Sequence, residues 1–252
     1  MEVDISIAAE HLFHIGSFFI TNSFLVGVMV SAMLVGLFLL VVKKKTIVPS
    51  RSQSLVEVMI EGALHTIEDV MQDKNQARRA FPLIFTIFVF VLLSNWIGLL
   101  PGVGTIGLIH DAEGHKTLIP FLRSTSADLN FTLGLSLSVM IVVQFVGIVS
   151  LGLWGYGKKF LVSPFQKPYI IGTFVGLLEI VSEVAKIVSF TFRLFGNVFA
   201  GEVLLTTMLH LIPYFLPLPF LALEVLAGLI QATVFAMLAT VFMKMAMTEA
   251  QH

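Results

Sequence analysis

The sequence predicts an all-α polytopic membrane protein with about five membrane-embedded helices and one amphipathic surface helix. Of its 252 residues, 57% are hydrophobic and only 12% are charged, and the mean hydropathy is +0.95. Soluble domains carry about twice that charged fraction. Several apolar runs also approach or exceed the roughly 20 residues that a helix needs to cross a bilayer. We therefore expect a single membrane domain over residues 1–252.

Composition excludes several classes of function. The net charge of −1 gives no reason to expect a nucleic-acid partner. The absence of cysteine excludes disulfides, thiolate metal ligands and cysteine nucleophiles. We expect no metal and no cofactor, since haem ligation needs two facing histidines and the predicted spans offer only His210 at an edge. The first twenty residues contain acidic residues but no Lys or Arg, so they lack the basic region of a cleaved signal peptide.

The first two predicted helices differ in character. Residues 24–42 form an uncharged run of bilayer length, which ends at three consecutive lysines, Lys43, Lys44 and Lys45. Residues 54–73 instead place apolar side chains near a helical period with acidic ones between them, which predicts an amphipathic surface helix. The string Ser54-Leu-Val-Glu57 is typical of a capping box at the start of that helix.

Four further membrane helices are predicted, over residues 80–100, 129–154, 169–212 and 220–247. Pro82 opens the first of these, and a Pro-rich turn separates the last two. At about 1.5 Å per residue, the segment 169–212 makes roughly 60 Å of helix, against a hydrocarbon core of roughly 30 Å. The last two helices are therefore expected to form a long and strongly tilted antiparallel hairpin.

The distribution of Lys and Arg among the loops predicts the orientation. Residues 43–79 contain seven of them and residues 155–167 contain three, whereas the loop 101–128 contains two. Five spans with the N-terminus outside and the C-terminus inside satisfy these counts.

Arg193 is the most informative residue of the chain. It lies in the middle of the long apolar segment, where a guanidinium cannot lose its charge and costs roughly 3 kcal/mol on insertion scales. Helical periodicity predicts that it shares one face with other polar residues, and the members of that face are Glu179, Glu183, Lys186, Phe190, Arg193 and Asn197. Glu183 and Lys186 are spaced to pair with each other. Arg193 is left without an obvious carboxylate, which suggests that another chain supplies its partner.

A second polar group lies nearer the Pro-rich turn. Glu202 and Glu224 come close to the turn on consecutive helices, and Gln231 lies deeper on the last one. Two neighbouring carboxylates in a low-dielectric environment can exchange protons. The alternatives are a structural carboxylate pair, and ordinary interhelical hydrogen bonds for Asn197 and Gln231. A structural salt-bridge cluster is the favoured interpretation of Glu179, Glu183 and Lys186, and an interfacial position that of His210.

These residues resemble a known family. The string Arg193-Leu-Phe-Gly-Asn197, followed by Ala-Gly-Glu202 and then by Glu224 and Gln231, resembles subunit a of bacterial F-type ATP synthase. The resemblance covers nearly the whole chain and includes the strings from Ser94 to Gly98 and from Ser126 to Asn130. Some bacterial relatives have His where this chain has Glu224.

The resemblance implies a non-catalytic, proton-translocating subunit of the cell inner membrane, with a ring of c subunits and the peripheral-stalk b subunits as partners. Protons would enter from outside through a half-channel lined by Glu202, Glu224 and polar side chains such as Asn130 and Gln144. Arg193 would attract the ionised ring carboxylate and separate this half-channel from a second one on the inner side. Asn197 and Gln231 would hold Arg193. Weaker candidates for the channel lining are Asp128, Asn130, Gln144, Glu179, Glu183, Lys186 and His210.

Two other classes of function remain open from the residues alone. A stand-alone secondary transporter or ion channel could use an intramembrane Arg and carboxylates within one chain. The sequence shows no internal repeat and no matching pair of broken helices, which such transporters often carry. The other class is a structural or cofactor-holding membrane subunit.

Overall fold

The computed structural model describes residues 11–15, 18–43, 51–100, 107–112, 115–121, 123–160, 169–212 and 215–248. Its described part confirms the predicted fold class, because it contains six α-helices, of which five are long and apolar enough to cross a membrane. The helices are α1 (Asn22–Lys43), α2 (Arg51–Met71), α3 (Lys74–Ile97), α4 (Leu129–Phe160), α5 (Tyr169–Leu211) and α6 (Pro217–Met247).

Two short antiparallel hairpins accompany the helices among the described residues. The first pairs β1 (His11–Ile15) with β2 (Phe18–Thr21), directly before α1. The second pairs β3 (Gly107–Ala112) with β4 (His115–Pro120) inside the segment that was expected to be a loop. A 3-10 turn over Thr125–Ala127 then leads into α4.

Helix α6 lies at the centre of the bundle and packs against α2, α3, α4 and α5, whereas α1 packs mainly against α3. Its buried residues include many alanines, and these allow close approach of neighbouring helices. Gly147 of α4 shows how close: a Cβ at this position would lie 3.0 Å from the carbonyl oxygen of Ala246. Small residues on both helices therefore set the distance between α4 and α6.

Aromatic packing fixes the rotation of α5 against α6. Phe190 is buried and meets Phe235 edge-on, with ring centroids 4.6 Å apart, and lies 5.3 Å from the ring of Phe242. Leu194 is also fully buried. Because successive residues turn by about 100°, a helix that points Phe190 and Leu194 inward carries Arg193 to the edge of the core-facing side.

Helices α5 and α6 run antiparallel, since Phe190 meets Phe235 while Gly201 meets Glu224 further along. Pro217 and Pro219 lie in the first turn of α6, where a missing backbone N–H is tolerated. With 43 residues, α5 is about 65 Å long and cannot stand upright in a hydrocarbon core of roughly 30 Å.

Three of the expected boundaries differ at the other end of the bundle. The amphipathic helix ends at Met71, because Asp73 caps α3 by accepting from the backbone N–H groups of Asn75 (2.8 Å) and Gln76 (3.2 Å). Ser54 lies inside α2, so the expected capping box does not start that helix. Pro82 does not open the second span either, because α3 begins at Lys74.

Candidate functional site

Arg193 lies at the surface of the chain, halfway along α5. Its side chain is exposed, while the adjacent Leu194 is fully buried. It forms no hydrogen bond or ion pair with any residue that the structure describes. The residues of the predicted polar face of α5 therefore have different environments. Phe190 points into the core and Arg193 points outward, because the two residues lie at opposite edges of that face. A guanidinium in an apolar helix is costly unless it has a partner, and the described residues supply none for Arg193.

Small side chains flank Arg193 on the exposed side of α5. They recur at helical spacing and form what we call the small-residue stripe, which consists of Ser182, Ala185, Ser189, Gly196 and Ala200. A Cβ added to Gly196 would have no atom of the described chain within 4 Å. Helix α5 is also the least buried of the five long helices in the described part. The stripe therefore leaves room for a partner helix to approach Arg193 closely.

Asn197 and Gln231 carry buried amide groups near the level of Arg193. The Nδ2 atom of Asn197 and the Nε2 atom of Gln231 are buried and have no hydrogen-bond partner among the described residues. Neither side chain is hydrogen-bonded to Arg193 in the described part of the chain. Buried amides normally pair with protein groups or ordered water, so both are available to a further polar partner.

Glu202 is bound by an arginine from outside the six helices. The Nε atom of Arg123 donates to both carboxylate oxygens of Glu202, at 3.0 and 3.2 Å, and its Nη2 donates to Oε2 at 3.2 Å. The side chain of Arg123 is 6% exposed, whereas that of Glu202 is 34% exposed. The fork of the guanidinium matches the carboxylate and holds it in one orientation.

Glu224 reaches the same region from α6. Its side chain is 7% exposed, and its carboxylate lies directly against Gly201, in the space that a Cβ on that residue would fill. Gly201 immediately precedes Glu202 in α5. The Glu224 carboxylate of α6 thus lies against the residue next to Glu202 in α5, and the missing side chain of Gly201 makes this approach possible.

A buried polar region connects α3, the 3-10 turn and the start of α4. We call it the polar seam; its members are Ser94, Asn95, Ser124, Thr125, Ser126, Asp128, Thr132 and Ser136. The Ser124 hydroxyl donates to the Ser94 carbonyl at 3.2 Å, and Asp128 caps α4 by accepting from the Asn130 N–H at 3.0 Å. The hydroxyls of four members have no partner in the described part: Ser94, Thr125, Ser126 and Ser136. Buried hydroxyls in such numbers favour a hydrated region.

A third polar group lies further along the bundle, between α4 and α5. Glu183 accepts from Gln144 at 2.8 Å and from Lys186 at 2.7 Å, and the Lys186 ammonium also lies over the ring of Phe242, 5.2 Å from its centroid. Gln144 and Glu183 border a cavity of about 350 Å³ whose other lining residues are apolar. The expected pairing of Glu183 with Lys186 is present.

Gln144 was expected beside Glu202 and Glu224, but the structure places it with Glu183. Gln144 lies fourteen residues beyond Asn130, which is about 21 Å along α4. This distance takes it away from the start of α4 and to the level of Glu183. Asn130 itself is exposed at the start of α4. His210 is exposed near the end of α5, with its Nδ1 atom 2.9 Å from the Thr206 carbonyl oxygen, and Glu179 is half-buried.

Comparison with known proteins shows the family to which the chain belongs. The family model of the ATP synthase A chain matches residues 24–244. The chain belongs to this family.

Curated relatives agree with this assignment over most of the chain. ATP synthase subunit a of Aliivibrio salmonicida (strain LFI1238) is 34% identical over 237 residues, which cover 92% of this chain and 85% of the relative. ATP synthase subunit a 1 of Vibrio campbellii (strain ATCC BAA-1116) is 35% identical over 223 residues, covering 86% of this chain and 80% of the relative. As a member of the ATP synthase A chain family with five long apolar helices in its described part, the chain is a multi-pass membrane subunit of an ATP synthase.

Arg123 is the residue of this site that sequence reasoning missed. It was counted only as one of two basic residues in the loop 101–128. A signal was present, because Arg123 begins the polar string Arg-Ser-Thr-Ser-Ala-Asp that ends at Asp128, directly before a membrane helix. Its pairing with Glu202 spans 79 positions of sequence, and no local pattern encodes such a contact.

Proposed function

We propose that this chain is the proton-conducting stator subunit of its ATP synthase, and that Arg193 faces a rotating ring of c subunits. The observation that carries the proposal is the exposed Arg193, which has no ion-pair partner among the described residues and lies within the small-residue stripe. A ring subunit with a membrane carboxylate would supply the missing charge. Arg193 would favour the ionised form of that carboxylate and prevent protons from passing directly along the interface.

The outer half-channel would run through the polar seam to Glu202 and Glu224. Protons from outside would pass these carboxylates and neutralise the ring carboxylate as it leaves Arg193. The amides of Asn197 and Gln231 would complete the polar surroundings of Arg193 in the assembled complex. A charge that crosses the membrane yields about 2.3 kcal/mol per 100 mV, and this energy would turn the ring.

The inner half-channel would begin on the other side of Arg193, where Glu179, Glu183, Lys186 and Gln144 are the candidate lining residues. The chain would lie in the cell inner membrane, with its N-terminus outside the cell and its C-terminus in the cytoplasm. The peripheral-stalk b subunits would hold the chain against the ring. The subunit itself would be non-catalytic, with ATP chemistry carried out elsewhere in the complex.

Reconstitution tests this function against a stand-alone transporter, which the family assignment does not favour. We expect liposomes that contain the complete complex to acidify on addition of ATP, because the ring supplies the moving carboxylates. Liposomes that contain this chain alone should keep an imposed pH gradient. Proton or solute transport by the chain alone, at rates comparable with those of the complex, would contradict the proposal.

A further inference from the structure

Arg123 and Glu202 form an ion pair in which the two partners differ in exposure. Arg123 is nearly buried at 6% exposure and belongs to the connection between β4 and α4. Glu202 keeps 34% of its side chain exposed. The connection is held firmly, because the 3-10 turn that follows Arg123 packs against α1, α3, α4 and α5. The arginine is thus the fixed member of the pair, and the carboxylate is its accessible member.

The contacts of Glu202 leave part of the carboxylate available. A carboxylate offers about four acceptor positions on its two oxygens. The hydrogen bonds from Arg123 to Glu202 include two from the same Nε atom and one from Nη2. The guanidinium therefore approaches from one side, while the exposed side remains open to water. A carboxylate that served only to anchor the connection between β4 and α4 would not need a solvent-exposed side.

Glu224 belongs to α6, and its carboxylate lies against Gly201, the residue before Glu202 in α5. The rotation of α5 and the fork of Arg123 together determine where the Glu202 carboxylate sits relative to Glu224. Without Arg123, the Glu202 side chain would be free to adopt other rotamers, and the separation of the two carboxylates would no longer be fixed. The rate of proton transfer depends steeply on the separation of the two carboxylates. The donor and the acceptor must lie within hydrogen-bond distance of each other, either directly or through one water.

We propose that Arg123 is a positioning residue of the outer half-channel, which holds Glu202 where it can take a proton from outside water and pass it to Glu224. In this step a hydronium ion gives its proton to the Glu202 carboxylate and becomes water, and Glu202 then gives the proton to the Glu224 carboxylate. Arg123 keeps its own protons throughout. The inference rests on the proposed function of the chain.

A double-mutant cycle in the assembled complex tests the proposal through ATP-driven proton pumping. We expect Arg123→Gln to slow pumping by about tenfold or more, the scale on which displacement of a reacting group acts. Glu202→Gln should also slow pumping, and the double variant should pump no more slowly than Glu202→Gln alone. Arg123→Lys should recover part of the rate, because an ammonium keeps the charge but lacks the bidentate fork.

Two results would overturn the proposal. Wild-type pumping by Arg123→Gln, or independent and multiplicative losses in the double variant, would show that Arg123 does not act through Glu202. If Arg123→Gln fails to copurify with the complex, Arg123→Lys decides instead: intermediate pumping supports the proposal, and wild-type pumping contradicts it. The matched control is Arg79→Gln at an exposed position of α3, which should pump normally.

Arg193→Ala in the same preparation separates this inference from the proposed function. If Arg193→Ala stops pumping while Arg123→Gln leaves it unchanged, only the role of Arg123 is wrong. If Arg193→Ala pumps normally, the proposed function fails, and the positioning role of Arg123 fails with it.

Discussion

Replacement of Arg193 by alanine should abolish ATP-driven proton pumping in inverted membrane vesicles, while the assembled complex continues to hydrolyse ATP. The guanidinium is exposed, lies halfway along α5 and has no ion-pair partner among the described residues. Its removal should therefore change the stability of the folded chain little. Under the proposed function, its loss would instead remove the charge that is expected to attract the ring carboxylate and to separate the two half-channels. We expect pumping to fall by at least about a hundredfold, the effect of removing about 2.7 kcal/mol of electrostatic stabilisation.

Arg193→Lys distinguishes charge from geometry. Lysine keeps the positive charge but offers a compact ammonium in place of a planar fork with five donors. We expect this variant to assemble and to pump poorly. Arg79→Gln serves again as the matched control. Normal pumping by Arg193→Ala would show that the arginine is structural and that the proposed role is wrong.

Replacement of Gly201 by alanine should impair pumping nearly as strongly, although it adds a single methyl group. The new Cβ would occupy the position of the Glu224 carboxylate, so the acid would have to move or the helices would have to separate. Overpacking of this kind costs about 1–3 kcal/mol, and a displaced Glu224 carboxylate would change its separation from Glu202. We expect a loss of about tenfold or more in pumping rate, on the scale of a misplaced reacting group.

The control for Gly201→Ala is Gly134→Ala in α4. A Cβ at Gly134 would meet no atom of the described chain within 4 Å, so pumping should be unchanged. Combination of Gly201→Ala with Glu224→Asp offers a second check, because the shorter acid relieves the overlap and should restore part of the rate. Wild-type pumping by Gly201→Ala would show that the contact between Gly201 and Glu224 is unimportant for proton transfer.

The sequence was sufficient to predict the helices, because hydropathy over bilayer-length segments dominates their positions. It was also sufficient to single out Arg193, since the cost of a guanidinium in an apolar helix does not depend on tertiary detail. That its partner belongs to another chain stays a prediction. The expected neighbourhood of Glu202 and Glu224 follows from the turn between their helices. The structure adds Gly201 as the residue that permits it.

Other features depend on packing that the sequence does not encode locally. The position of Gln144 beside Glu183 depends on the relative depth of α4 and α5, and residue spacing within one helix cannot supply that depth. The boundary between α2 and α3 depends on Asp73 acting as a cap, although its neighbours continue the amphipathic pattern. The pairing of Arg123 with Glu202 depends on how the connection before α4 folds onto α5.

The absence of cysteine makes a direct test of the Arg193 surface possible, because single cysteines can be placed without background. Ser189→Cys and Gly196→Cys would mark the small-residue stripe, and Phe145→Cys would mark an exposed face of α4 as the control. The ring subunit would carry one cysteine next to its membrane carboxylate. We expect oxidation to join both stripe variants to the ring subunit and to leave Phe145→Cys unjoined. Cross-linking of Phe145→Cys without cross-linking of the stripe would show that Arg193 faces away from the ring.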